Sequence, residues 1–141
     1  MRVLGVDFGE KRIGVAVSDP TGTIASPLET VKRRAGKRPP LNRLADTARA
    51  WEVRHVVVGL PLSLTGEENE WCAEVRTMGR NLAKRLELDV SFVDERMTSV
   101  RAERAVRAVG LSKRARREKG RVDAGAAQLI LQAWLDREDT R

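Results

Sequence analysis

The sequence predicts an α/β fold: a mixed five-stranded sheet, three antiparallel strands followed by two parallel ones, with helices on both faces. Three observations lead there. Three short apolar segments come first, joined by turns too brief for a crossover, so they pair as an antiparallel meander. Two further apolar runs each follow a stretch of helical spacing, and a strand entered through such a crossover lies parallel to the one before it. The length of 141 residues suits one domain, 1–141, able to bury about two-thirds of its surface.

Residues 2–8 form the first strand, apolar except for Asp7. Glu10-Lys11 turns the chain into a second strand over 12–18, and Asp19-Pro20-Thr21-Gly22 turns it into a third over 23–31. Pro27 cannot donate to a ladder, which puts that third strand at a sheet edge. The stretch from Lys32 to Pro40 is basic, then Pro-rich, and reads as a loop. Leu41, Leu44, Ala45, Ala48 and Trp51 set a helix over 40–52, with Pro39-Pro40 at its start. His55 to Leu60 is a fully apolar fourth strand. Residues 67–86 form a long helix with Glu67, Glu68 and Glu70 in an acidic first turn and Lys84 and Arg85 at its basic end, both suited to the helix dipole. A fifth strand over 88–94 runs out at Asp94-Glu95-Arg96. A helix over 98–109 follows, capped by Thr98 or Ser99 and stopped by Gly110. Residues 111–121 lack apolar periodicity and read as a loop, and residues 122–136 form a last helix.

The composition excludes several classes. No run of ~18 apolar residues exists to cross a membrane. Asp7, Glu10 and Lys11 interrupt any leader-like N-terminal stretch. The single cysteine, Cys72, rules out a disulfide framework, points to a reducing cytoplasm and reads as a packing residue. His55 reads as structural, and Trp51, Trp71 and Trp134, at helical spacing, as core.

The net charge of +7 favours an anionic partner, nucleic acid first among them. Residues 101–121 hold nine Lys/Arg and two Glu, and residues 32–43 hold six Lys/Arg and no acid. With no Tyr and two Phe, base stacking is a poor explanation, and contact with the phosphate backbone is the better one. The loop cations Lys113, Arg114, Arg116, Arg117, Lys119 and Arg121 are expected to grip that backbone, with Gly110 and Gly120 as hinges.

Three acids stand where packing does not ask for them: Asp7 in strand one, Glu95 (with Asp94 beside it) at the end of strand five, and Asp123 at the start of the last helix. A carboxylate in a central strand costs several kcal/mol unless paired, hydrogen-bonded or bound to a cation. Ala124, Gly125, Ala126 and Ala127 let the last helix lie close to the sheet, and strands one, four and five are neighbours, so the three acids can converge. Hard oxygen ligands without His or Cys suit Mg²⁺ or Mn²⁺, two of which activate water and stabilise the leaving oxygen in phosphodiester cleavage. Spacing alone leaves the alternatives open, since a turn aspartate or a helix-dipole partner uses the same residue type.

Taken together the motifs resemble the YqgF-type family, also called RuvX, of the RNase H-like superfamily. The resemblance rests on Gly5-Val6-Asp7-Phe8-Gly9, Lys11-Arg12-Ile13-Gly14-Val15-Ala16, Val57-Val58-Gly59-Leu60-Pro61-Leu62, Asp94-Glu95-Arg96 with Thr98-Ser99, and Asp123 with Ala126-Ala127. They lie in family order and span nearly the whole chain. The resemblance implies an RNase H-like fold, an acidic metal-binding triad of Asp7, Glu95 and Asp123, and Arg12, Arg96 and Thr98 in the site, toward substrate phosphate. It implies a metal-dependent endonuclease that resolves Holliday junctions or processes the precursor of 16S ribosomal RNA. A four-way junction has two equivalent strands to cut, so a two-fold homodimer is the expected resolving unit, in contact around Trp71 or Trp134. Competing readings are a catalytically silent nucleic-acid-binding or transcription-associated module and an actin-like ATPase relative. Asp7-Phe8-Gly9 resembles the phosphate-binding turn of the latter, but the length supplies one of the two domains it needs.

Overall fold

The computed structural model describes residues 1–34, 37–98 and 119–139, with side chains from 124 to 138 in the last stretch. Strands β1 (Val3–Phe8), β2 (Arg12–Ser18) and β3 (Ala25–Lys32) come first. Helix α1 (Leu41–Ala50), strand β4 (His55–Leu60), helix α2 (Glu70–Leu86) and strand β5 (Val90–Asp94) alternate after them. A 3₁₀ turn, Glu95–Met97, and helix α3 (Lys119–Asp139) complete the described elements. The sheet order is β3-β2-β1-β4-β5. β1 pairs antiparallel with β2 and β2 with β3, while β1–β4 and β4–β5 are parallel, as the alternation of elements predicts.

The strand period of two divides the chain's apolar residues between two layers. Leu4, Val6 and Phe8 of β1 point into a core with Leu44 and Ala48 of α1 and Val75 and Leu82 of α2. Val3 of β1 and Val57 of β4 point the other way, against Ala127, Ile130 and Leu131 of α3. Helix α3 lies close because the sheet offers glycine beneath it. A Cβ on Gly5 would stand 2.7 Å from the Leu131 Cβ and 3.1 Å from the Ala127 carbonyl oxygen. By contrast, a Cβ on Gly125 meets nothing within 4 Å, so closeness comes from the sheet and from Ala126 and Ala127, not from Gly125.

Element boundaries depart from expectation for local reasons. Helix α2 starts at Glu70, not 67, because the Asn69 side chain accepts from the Cys72 N–H and caps it. Glu67 instead donates its N–H to Ser63 Oγ in the preceding loop, so only Glu70 remains in the first turn. Strand β5 starts at Val90, because α2 ends on Glu87 at φ 56° and the Leu88 N–H returns to the Ala83 carbonyl. The ladder slips between Val15 and Ala16, where Leu28 is the extra residue beside Pro27, and β3 is the edge strand that Pro27 implies.

Two further expectations are overturned. Helix α3 holds Lys119, Gly120 and Arg121, so these belong to a helix and not to a basic loop, and Gly120 is no hinge. Lys and Arg are good helix formers, and a start placed on the first apolar residue comes too late. Of the tryptophans expected in the core, Trp71 and Trp134 pack half-buried against the two cores, and Trp51 does not. Trp51 is exposed with the Arg2 guanidinium over its ring, Trp71 is half-buried beneath Arg33, and half-buried Trp134 stacks on His55 at 4.8 Å. Each indole has a cation or a ring against it. His55 is structural as expected: its Nε2 pairs with Ser91 Oγ at 2.8 Å, and burial lowers its pKa. Cys72 is buried, its thiol donating to the Pro61 carbonyl. No helix among the described residues is long and apolar enough to cross a membrane.

Candidate active site

Alternation along β1 decides where Asp7 goes. Leu4, Val6 and Phe8 feed the α1/α2 core, so Asp7 shares the α3 face with Val3 and Gly5, near the C-terminal end of the strand. It is 5% exposed. Its neighbour across the β1–β2 ladder is Gly14, which adds no side chain beside it.

Glu95 lies just past the end of β5 and is 3% exposed. Its carboxylate reaches back over β4. A Cβ on Gly59 would stand 3.2 Å from Glu95 Oε1 and 2.4 Å from Ile130 Cδ1. The β1–β4 register pairs Val6 with Val58, so Gly59 lies beside Asp7 on the next strand. One interstrand spacing is ~4.8 Å. Asp7 on β1 and Val93 on β5 flank Gly59, and Glu95, two residues past Val93, reaches back over it, so the glycine gives the two acids a common floor.

The 3₁₀ turn explains the three-residue run around Glu95. Asp94 Oδ1 accepts the Arg96 N–H at 2.9 Å and caps the turn. Asp94 also takes the Arg96 guanidinium, Nε to Oδ2 at 2.9 Å and Nη2 to Oδ2 at 2.6 Å, which raises the Arg96 pKa. Arg96 Nη1 continues to the Leu64 carbonyl at 3.1 Å. Thr98 closes the turn, its Oγ1 donating to the Glu95 carbonyl at 2.8 Å. Thus Asp94, Arg96 and Thr98 build the turn that aims Glu95. Arg96 and Thr98, expected on substrate phosphate, stand beside the site but already hold these bonds.

The third acid arrives on helix α3. Ile130 packs over Gly59 and Trp134 stacks on His55, so α3 runs antiparallel to β4 and its early turns lie at the C-terminal ends of β1 and β4. The Asp123 backbone is one helical turn, ~6 Å, before Ala127, whose carbonyl lies over Gly5. Asp7 is two residues beyond Gly5 in the same direction, a similar distance. The Asp123 side chain lies outside the described ones. Among the described residues, no three His, Cys, Asp or Glu are grouped to hold a metal.

Arg12, at the start of β2, is partly exposed on the same face as Asp7, two residues past Gly14 along the strand. Its carbonyl accepts the Gly9 N–H at 2.9 Å, and a Cβ on Gly9 would come within 2.5 Å of that oxygen. The tight turn therefore accounts for Gly9 in Asp7-Phe8-Gly9. Lys113, Arg114, Arg116 and Arg117, with the expected helix beyond Thr98, lie outside the described residues; Lys119 and Arg121 belong to α3. Residue-by-residue reading assigned no role to Gly59, although a glycine inside a fully apolar strand signals a close approach. It also passed over Leu64, 80% exposed on the loop that Arg96 holds.

A family model described as "RuvX: Holliday junction resolvase" matches residues 1–137. The chain belongs to the RuvX family. Relatives agree along the whole length. A protein of Anaeromyxobacter sp. (strain K) named "Putative pre-16S rRNA nuclease" is 45% identical over 137 residues, covering 97% of this chain and 98% of the relative. One of the same name from Mycobacterium leprae (strain Br4923) is 44% identical over 137 residues, covering 96% of this chain and 72% of the relative. Two solved structures share the fold of this RuvX chain. T. thermophilus RuvC, solved in complex with Holliday junction substrate, superposes with a TM-score of 0.59 at 15% identity, covering 99% of this chain and 96% of RuvC. The fowlpox virus Holliday junction resolvase gives a TM-score of 0.54 at 12% identity, covering 97% and 99%. The RNase H-like fold expected from the motifs is thus the fold of the RuvX chain.

Proposed function

We propose that this chain is one cytoplasmic nuclease domain that hydrolyses phosphodiester bonds in structured nucleic acid, with Asp7, Glu95 and Asp123 as its metal-binding carboxylates. The observation that carries the reading is the shared floor of Asp7 and Glu95 over Gly59. Two buried carboxylates brought over one strand from either side repel each other, and each costs several kcal/mol to desolvate. A divalent cation held by them would offset both costs. The donor set fits a hard ion, since it is all oxygen, and a Cβ on Gly59 would crowd the Glu95 carboxylate at 3.2 Å.

Asp7, Glu95 and Asp123 would hold Mg²⁺ or Mn²⁺, as a pair, which would supply charge to the reacting phosphate and a water nucleophile. The protein's own part is positioning. β1 and the 3₁₀ turn fix two ligands on hydrogen-bonded backbone, and α3 carries the third on a helix pinned over Gly5 and Gly59. Arg12, on the same face as Asp7, is the cation for the scissile strand. The basic side chains that precede Asp123 would carry backbone contacts on the α3 side.

Family and relatives name two substrates, the Holliday junction and the 16S ribosomal RNA precursor. The test is cleavage of a panel of four-way junction, plain duplex and precursor RNA with Mg²⁺, Mn²⁺ or EDTA. Metal-dependent cleavage of one branched or structured substrate supports the reading. Tight binding without cleavage in either metal would overturn it in favour of a silent binding module. Junction cutting should come with a two-fold dimer, and a monomer that cuts only precursor RNA would assign the RNA role.

A further inference from the structure

The basic cluster over 32–43 has no place in the site described so far. Its position supplies one. Lys32 pairs directly with Arg12 across the β2–β3 ladder. Ile13 and Val31 point into the α1/α2 core, so Arg12 and Lys32 both face the side that carries Asp7. Like charges directly opposite in an antiparallel pair disfavour it unless an anion lies between them. Beyond Lys32 the chain leaves the sheet edge, and Arg34, Lys37 and Arg38 are all exposed. A line of cations therefore runs from beside Asp7 through Arg12 and Lys32 into the basic segment that follows β3.

Arg33 differs from its neighbours. It is turned inward. Its N–H donates to the Lys11 carbonyl at 2.8 Å, Nη1 to the Gly9 carbonyl at 3.4 Å and Nη2 to the Lys37 carbonyl at 3.3 Å. Its guanidinium lies 5.8 Å from the Trp71 ring centroid. Arg33 Nε is buried without a hydrogen-bond partner among the described residues, a cost that a purely solvated arginine would avoid. One side chain thus ties the basic segment to the turn that follows β1. The exposed Glu10 and Glu74 line, with Arg33 and Lys37, a cavity of about 640 Å³ beside Trp71, and Glu29 is engaged by Arg43 and Thr47.

We propose that Lys32, Arg34, Lys37 and Arg38 form a track for the phosphate backbone flanking the scissile phosphate, and that Arg33 is the positioning residue that holds this track against the β1 turn. The proposal rests on the nuclease reading for its substrate class, yet it is tested by binding alone. The four exposed cations are changed together to Gln, and affinity for a duplex-armed four-way junction and for a duplex RNA hairpin is titrated against salt in EDTA. The quadruple variant should bind more weakly, and the slope of log affinity against log salt should flatten by about 2–4 units. R33K keeps the charge but loses the fork that reaches two carbonyls at once. It should bind roughly 3- to 10-fold more weakly in the wild-type background, the scale of ordering a loosened segment, with little change in slope. In the quadruple background R33K should cost nothing, whereas a merely structural role would cost the same in both. Equal slopes for wild type and quadruple variant would overturn the track, and additive R33K losses would overturn the anchoring role. Failure of cleavage in both metals, with the slope change intact, would sink the nuclease reading and leave the track standing.

Discussion

The two faces of the sheet are built from the same strands and to opposite rules. On the α1/α2 face, β1 contributes Leu4, Val6 and Phe8 and β4 contributes Val56, Val58 and Leu60, large side chains in a dry core. On the α3 face the same strands contribute Val3, Gly5 and Asp7, and Val57 and Gly59. The first face stabilises by volume. The second removes volume to let a helix approach and then leaves a floor on which two carboxylates are buried. A strand that alternates in this way holds its candidate ligand on a backbone whose opposite face is packed in a core.

Substitutions on the two faces should therefore separate activity from stability. Asp7→Asn should produce the largest change, a loss of cleavage on the order of 10³-fold or more, with the fold retained and the midpoint of unfolding level or raised by relief of repulsion. Single-turnover cleavage and thermal unfolding of the same preparation check it; wild-type cleavage would remove Asp7 from the site. Leu4→Ala, three residues away on the other face, should do the reverse. It deletes a fully buried side chain and should cost about 3–5 kcal/mol, while the remaining folded fraction cleaves normally. Denaturant titration reads the first effect and activity per folded molecule the second.

The glycines sharpen the contrast. Gly5→Ala drives a methyl to within 2.7 Å of the Leu131 Cβ, which cannot swing away, and should cost roughly 1–3 kcal/mol by pushing α3 off the sheet. Gly59→Ala meets the far end of Ile130, which can turn, and Glu95 Oε1 at 3.2 Å. Its effect should fall more on metal affinity and cleavage than on stability. A Gly59→Ala protein that needs no more metal than wild type would show that the floor is not the metal site.

The smallest expected effect comes from the far end of the sheet. Burial lowers the His55 pKa from 6.5 in the folded state, so the unfolded chain binds the extra proton first. Stability is fully present above pH 6.5 and declines as pH falls through the folded value. His55→Gln should flatten that part of the pH–stability curve and leave the pH dependence of cleavage unchanged, because His55 packs on Trp134 at the opposite end of β4 from Glu95.

Much of this molecule follows from the sequence alone. The order of the five strands and of the described helices is written in the alternation of apolar periods, and the edge position of β3 in Pro27, because backbone hydrogen bonding and burial act on residues a few positions apart. The oddness of Asp7, Glu95 and Asp123 is legible for the same reason: each is an acid in a locally apolar or helical context. Other features depend on residues far apart in the chain. Gly59 becomes the floor of the candidate site only when the β1–β4 register sets it beside Asp7 and the 3₁₀ turn returns Glu95 over it, and Arg96 becomes a strut only when Asp94 and the Leu64 carbonyl come within reach of it. The helical state of Lys119–Arg121 and the exposure of Trp51 were misread from sequence because propensity and packing outside the window override periodicity within it. Lys32 and Arg12 are 20 positions apart and meet only through the β2–β3 register, which turns two separate charges into one surface. Local order is a short-range property and the chain carries it in its pattern; the convergence of charge is a long-range one, and only the tertiary fold decides it.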